Sequence, residues 1–419
     1  MPEKKKDLLE RLLPYDEALA ALLDRVTWTL PAETTPVMEA LGRVLRENID
    51  STLDVPPFDR SAMDGYAVRA ADTRGACPAA PVRLKVVDDL PAGKAPSRRI
   101  GKGQAARIMT GAPLPPGADA VVMVEHTTWD EGTVAVACAA DPGDNLGRRG
   151  EDVEKGARVF AAGTVIGPAE MGMLAALGRA RVKVARRPRV AVLSTGDEIE
   201  APGRKLKPGR IYDANQYSLA GLAWSLGCEV GMLGIARDRA RRVEERLEVA
   251  EGADVVLLTG GVSVGDYDLM ADILPAIGVK KIFHGVRIQP GKPTYAGIRR
   301  RTFFFGLPGN PVSCLVCAQL FARPCLDKLV GRGRIGLARG EAVLAEDFKL
   351  RPGRRKFLRA EVVGAGPAIQ VRIWRDQKAG VLTSMVKADV LVDLPGEAAA
   401  VKAGNRVEIL WLREAPWRS

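Results

Sequence analysis

The sequence is poor in the residues that carry most recognisable chemistry. Two histidines in 419 residues exclude a polyhistidine metal cage and argue against a His-based catalytic triad. Aromatic residues make up only 5%, too few for a surface of base-stacking platforms. No apolar run approaches the roughly 20 residues of a membrane span. The opening MPEKKKDLLERLL is charged and carries no secretion signal. Six cysteines, at 77, 138, 228, 314, 317 and 325, are scattered through a chain too large to need disulfide staples. These absences point to a cytoplasmic protein with no membrane partner and, net charge apart, no nucleic-acid partner.

What remains has ordinary globular composition, 47% hydrophobic and 27% charged. At about 150 residues per domain the length suggests two to four domains. Sixty-two basic against 51 acidic residues leave a net charge of +11. That balance favours acidic ligands such as phosphates and other oxyanions.

Along the chain the texture changes several times. Apolar spacing of three and four predicts helices in DLLERLL and DEALAALLDRV, separated by Pro14, and in PVMEALGRVL, with Thr35 as N-cap and Pro36 as first helical residue. From 53 to 152, short apolar runs broken by Gly and Pro read as strands, before PAEMGMLAALG returns to helix. Residues 53–152 thus form an inserted β domain within a discontinuous helical domain, 7–52 and 153–184. Between 185 and 331, continuous apolar strands alternate with helices, the pattern of a parallel sheet covered on both faces. From 336 to 413 the chain is again β-rich and predicts a small barrel or sandwich.

In an open α/β sheet, ligands bind beyond the carboxyl ends of the strands. Those positions hold acids and glycine-rich turns: Thr195 to Glu198, Asp238, Gly260, Gly261, Ser263, Gly265, Asp268, and Leu307 to Pro311. The TGGVSVGD turn and the LPGNP helix start, with Asn310 as cap and Pro311 first, can each hold an anion on exposed amides. Each is equally consistent with a plain tight turn or helix start. Glu198, Asp238 and Asp268 can hold Mg²⁺, a hard cation that accepts oxygen ligands. Lys292, in QPGKPT, can meet an oxyanion. Cys314 and Cys317 form a C-x-x-C, but their apolar flanks fit a packed helix better than a metal or redox site. The basic runs 179–189 and 349–359 read as solvated linker faces.

Beyond these patterns, an ordered set of motifs resembles the molybdopterin molybdenumtransferase family, which includes a domain of gephyrin. The motifs are PPFDRSAMDGYAVR, RIMTGAPLPPGADAVVMVE, RRGEDVEKG, STGDEI, IYDAN, TGGVSVGDYD, PGKP and LPGNPVS, spread over residues 56–313 of a resemblance that runs from about 7 to 412. The resemblance implies an elongated, L-shaped α/β plus β chain of four domains, with a parallel-sheet molybdopterin-binding domain and a C-terminal barrel-like β domain. It implies transfer of molybdenum from molybdate to adenylylated molybdopterin with release of AMP, assisted by Mg²⁺. Tungsten insertion by the same chemistry, or a non-catalytic gephyrin-like scaffold, are the alternatives.

Carried over by motif, Asp64, Thr110, Asp152, Glu198, Asp238 and Asp268 are the implied catalytic positions. Arg148, Arg149, Asp213, Asn215, Gly260, Gly261, Ser263, Gly265, Lys292, Pro308, Asn310 and Pro311 are the implied substrate- and anion-binding ones. The resemblance further implies a homodimer whose cleft is shared between chains, with Asp64 and Thr110 supplied by the partner. A molybdopterin adenylyltransferase would act upstream, and molybdenum-enzyme acceptors would lie downstream. Three positions depart from the family pattern: Gly147 stands where an arginine is common, Gln289 where a basic residue precedes PGK, and Asp389 with Val390 where Asn-Gly is common.

Overall fold

The computed structural model describes residues 12–237, 240–261, 269–365 and 368–413. Its centre is a six-stranded sheet ordered 229–236, 189–195, 255–259, 302–307, 295–299 and 280–284. The first four strands are parallel, as their unbroken apolar runs require. The strand Tyr295–Arg299 runs antiparallel to both its neighbours, so the sheet is mixed rather than wholly parallel. The strand Tyr295–Arg299 had no signal of its own, because the run YAGIRRRTFFFG carries three arginines at its turn. Arg300 makes that turn with φ +54°.

Alternation along each central strand feeds two cores. Val190, Val192, Val255, Leu257, Phe303 and Phe305 face one layer, while Ala191, Leu193, Val256, Leu258 and Phe304 face the other. Helix Asn215–Ser225 and the long helical run 311–330 cover the first face through Leu219, Ala223, Phe321 and Leu326. Helices Ala240–Glu248 and Leu269–Ala276 cover the second. Each fully buried Phe contributes about 1.5–3 kcal/mol relative to exposure. Cys314, Cys317 and Cys325 lie fully inside the helical layer. Burial pushes the thiols of Cys314 and Cys317 up to about 12, which fits inert packing rather than metal or redox chemistry.

The helix Tyr15–Leu23 forms as its spacing predicts, and it packs on this same core through Tyr15, Ala18 and Leu22. The first run, DLLERLL, lies largely outside the described residues. The discontinuous unit therefore takes its own core only from Val37 onwards, with Leu45, Ile49, Ile166, Leu174 and Val184. It contains less helix than the spacing suggested. Thr35 and Pro36 end the strand Ala32–Pro36, which pairs with Arg181–Ala185, and only Val37–Glu39 winds into a single 3₁₀ turn. Pairing with the returning strand overrides local propensity there, and Met38 and Leu41 are left exposed. The helix Pro168–Ala176 forms as expected.

The inserted segment holds a six-stranded sheet ordered 120–123, 65–68, 104–108, 82–90, 133–136 and 127–130. Tyr66 and Val68 point into one core and Ala67 into another, so both faces are covered. At the C-terminal end, Arg355–Ala365, Ile369–Ile373, Arg339–Leu344, Arg406–Trp411 and Val390–Leu394 pair in a ring. The last strand pairs back to the first, closing a five-stranded barrel.

Neither basic run is wholly a solvated linker face: Arg181, Lys183, Arg189, Lys349 and Arg351 are exposed, but others are paired or buried. Arg186 makes a two-pronged pair with Asp254 at 2.7 and 2.8 Å. Arg355 does the same with Asp393, both bonds 2.7 Å. Arg359 is 0% exposed, donating to Ser384 Oγ and to the carbonyls of Asp376 and Lys378. Arg355 and Arg359 sit on a strand and Arg186 in the short link between two strands, and each side chain found partners that a count of lysines and arginines cannot reveal.

Candidate functional site

A cleft of about 430 Å³ opens beyond the carboxyl ends of the parallel strands. Three strand-end turns supply its walls: Ser194, Thr195 and Glu198 after the first, Thr259, Gly260 and Gly261 after the second, Gly309 and Asn310 after the third. Asp213 and Asn215 close it from the start of helix Asn215–Ser225.

Asn215 ties the turns together. Its amide nitrogen donates to Thr259 Oγ1 and to the Gly309 carbonyl, both at 2.8 Å. Gly260 has φ +86°, and a Cβ there would sit 2.2 Å from the Thr195 carbonyl oxygen. Only glycine allows these two strand ends to approach so closely. The Glu198 turn is held from behind, since Arg210 and Arg237 both donate to the Asp197 carbonyl and lie 3.9 and 3.6 Å from Glu200. Glu198 itself is exposed at the cleft.

Asp213 is 4% exposed. Its Oδ1 accepts from the Gln216 backbone N–H at 3.0 Å, while its Oδ2 has no hydrogen-bond partner. A buried carboxylate oxygen left in this way is costly unless something outside the protein completes it. Ser194 Oγ is in the same position on the opposite wall. Sequence reasoning missed Ser194, Arg210 and Arg237 as contributors. Ser194 ends an apolar run, RVAVLS, and opens the STGDEI motif, the two signals that could have found it.

The structure thus brings together Glu198, Asp213, Asn215, Gly260, Gly261 and Asn310. Pro308 and Pro311 flank the Gly309–Asn310 wall without lining it. Asn310 takes the non-helical N-cap conformation, and Pro311 begins the helix Pro311–Cys317 as predicted. Lys292 is half-buried in the loop after the cis Gln289–Pro290 bond and does not line the cleft. Asp238, Ser263, Gly265 and Asp268 lie outside the described residues.

The remaining candidates occupy the inserted segment. Asp64 Oδ1 accepts from both the backbone N–H and the hydroxyl of Thr110, each at 2.7 Å. The backbone N–H, followed by the hydroxyl, holds the Asp64 carboxyl below the ordinary carboxylate range. Arg149 Nε bonds Asp54 at 2.6 Å, and Arg148 lies 3.5 Å from Asp59. Asp152 is exposed nearby, its backbone N–H donating to Val55. None of these residues lines the strand-end cleft.

The departing positions also take definite places. Gly147 pairs with Arg60, and the Arg60–Glu151 ion pair fills the space where a Cβ would project. Gln289 is exposed on a short strand beside Arg355 and Lys356. Arg287, two residues earlier, lines a different cavity near Arg355 and Asp393. Asp389 is buried and accepts the Val362 backbone N–H.

Residues 13–178 match the MoeA N-terminal region (domain I and II), 191–328 a probable molybdopterin binding domain, and 341–412 the MoeA C-terminal region (domain IV). A molybdopterin molybdenumtransferase of Staphylococcus aureus (strain MRSA252) is 34% identical over 399 residues, 95% of each chain. Molybdopterin molybdenumtransferase 2 of Mycobacterium tuberculosis (strain ATCC 25618 / H37Rv) is 38% identical over 390 residues, 90% of this chain and 94% of that one. The crystal structure of the molybdopterin biosynthesis moeA protein from Pyrococcus horikoshii OT3 has a TM-score of 0.82 at 33% identity, covering 96% of this chain and 100% of that one. Similarity over nearly the whole length, across all three matched regions, places the chain in the molybdopterin molybdenumtransferase family.

Proposed function

We propose that this chain transfers molybdenum from molybdate to adenylylated molybdopterin, releasing AMP and leaving the metal on the dithiolene. The observation that carries the reading is the strand-end cleft, where glycine turns converge on carboxylates and one buried carboxylate oxygen lacks a partner. Backbone amides at such turns suit phosphate and molybdate oxygens. Asn215 keeps the turns at a fixed spacing, so a bound adenylate meets pre-set donors rather than loops that must be ordered.

Mg²⁺ belongs to the same proposal. Glu198 and the unpartnered oxygen of Asp213 are hard donors lining one cleft, the chemistry that a hard cation requires. Asp238 and Asp268 would join them as the resemblance implies. Bound there, the ion would neutralise charge on the phosphate of the departing AMP. The protein's own groups orient the adenylate and hold the Glu198 turn in place through Arg210 and Arg237.

The proposed assembly is a homodimer in which Asp64 and Thr110 of each chain complete the other's cleft. Supporting this, the two residues are bonded to each other on the inserted unit and are absent from the walls of their own chain's cleft. The adenylylated substrate must come from an adenylyl-transferring enzyme, and the product must pass to molybdenum enzymes. Among the described residues no helix is long and apolar enough to cross a membrane; a cytoplasmic location is part of the proposal. The deciding experiment supplies adenylylated molybdopterin and molybdate to the purified chain. AMP release that depends on molybdate supports the reading, and its absence refutes it.

A further inference from the structure

A cluster of five arginines lies away from the strand-end cleft. A cavity of about 620 Å³ opens where the helical layer meets the C-terminal barrel. Arg323, Arg332, Arg334, Arg339 and Arg413 line it, with Trp411 as one wall and no acidic side chain among its lining residues. The arginines arrive from separate elements: the helix Arg323–Val330, the connection that follows it, and the ends of two barrel strands.

Two described carboxylates, Asp327 and Glu408, pair with this group from outside the lining. Asp327 is 3% exposed and is shared, 3.3 Å from Arg332 and 3.9 Å from Arg323. Glu408 pairs with Arg339. Arg413 donates to the Val386 carbonyl, which is a neutral acceptor. Among the described residues, five guanidinium groups therefore face one cavity whose lining carries no carboxylate. Like charges gathered in a concave wall raise its potential and attract anions into it. Guanidinium forks match phosphate oxygens in pairs.

We propose that this cavity is a second anion site, separate from the strand-end cleft, that takes a small polyphosphate. Because its arginines come from both the helical layer and the barrel, an occupant bridges the two. Its volume admits several phosphate groups, and Trp411 offers a flat apolar face to anything attached to them.

The test is titration of the full-length, metal-free chain with inorganic triphosphate, followed by calorimetry and tryptophan fluorescence. An Asn215→Ala background removes the clamp of the strand-end cleft and isolates the second site. Saturable binding that survives Asn215→Ala is expected. Replacing two exposed arginines together, Arg334→Gln with Arg413→Gln, should weaken it by roughly tenfold or more. The matching Arg334→Lys with Arg413→Lys chain keeps the charge and should lose less. Citrate should bind at least tenfold more weakly than triphosphate. The proposal is overturned if no saturable binding occurs, if the double glutamine chain binds as well as the parent, if Asn215→Ala alone abolishes binding, or if citrate binds equally.

Discussion

One oxygen of Asp64 accepts two hydrogen bonds from Thr110, one from its backbone N–H and one from its hydroxyl, each 2.7 Å long. The pair favours the charged form of a carboxylate on an exposed surface. A carboxyl with a depressed folded pKa contributes its interaction above the unfolded value, near 4, and loses it as pH falls through the folded value. Thr110→Val removes the hydroxyl and leaves the N–H. The Asp64 midpoint should then move up towards the ordinary carboxylate range without fully reaching it, as read by NMR titration of its side-chain carbon. A midpoint that stays put would show that the N–H bond alone sets it.

Glu198→Gln should abolish molybdate-dependent AMP release while leaving thermal stability within about 0.5 kcal/mol, because the side chain is exposed. Direct Mg²⁺ titration should show weakened retention, since a hard cation prefers anionic oxygen. A folded variant with full activity would remove Glu198 from the site.

Gly260→Ala forces a Cβ into the Thr195 carbonyl at a positive φ. The two costs together should destabilise the chain by about 3 kcal/mol, measured by denaturant unfolding. If stability is unchanged, the two strand ends are not held at the approach described.

Mixing tests the shared cleft. Asp64→Ala and Glu198→Ala chains should each be inactive as homodimers. Their heterodimer holds one cleft with both defects and one with neither, so AMP release should recover to at most about half of wild type, the share expected of one intact site in two. Heterodimers as inactive as either parent would show that each cleft is built within one chain.

The sheet was legible because its strands are nearly uninterrupted runs such as RVAVLST and DVVLLT, and burial on both faces leaves no other reading. The strand-end positions followed from that, so Glu198 and Gly260 were found before any distance was known, whereas Asn215 came only from the IYDAN motif of the resemblance. Other features were not local. Pro36 stays extended because Arg181 lies opposite it. Arg359 becomes interior, and Arg355 meets Asp393, only when the barrel closes. That Asp213 has one satisfied and one unsatisfied oxygen depends on where Gln216 places its N–H, which no spacing rule states.

The neck of the inserted unit has a further consequence. Val55 donates to the Val153 carbonyl at 2.8 Å, and Val153 donates back at 3.1 Å, so the chain enters and leaves the insertion at adjacent points. Everything from 56 to 152 hangs from a two-stranded stalk, with its own cores on both sheet faces. Such a head meets the base at a single pair of adjacent backbone points, which fixes where its two chain ends must lie. It is also exchangeable in evolution, because a different head joined at Val55 and Val153 asks nothing new of the base.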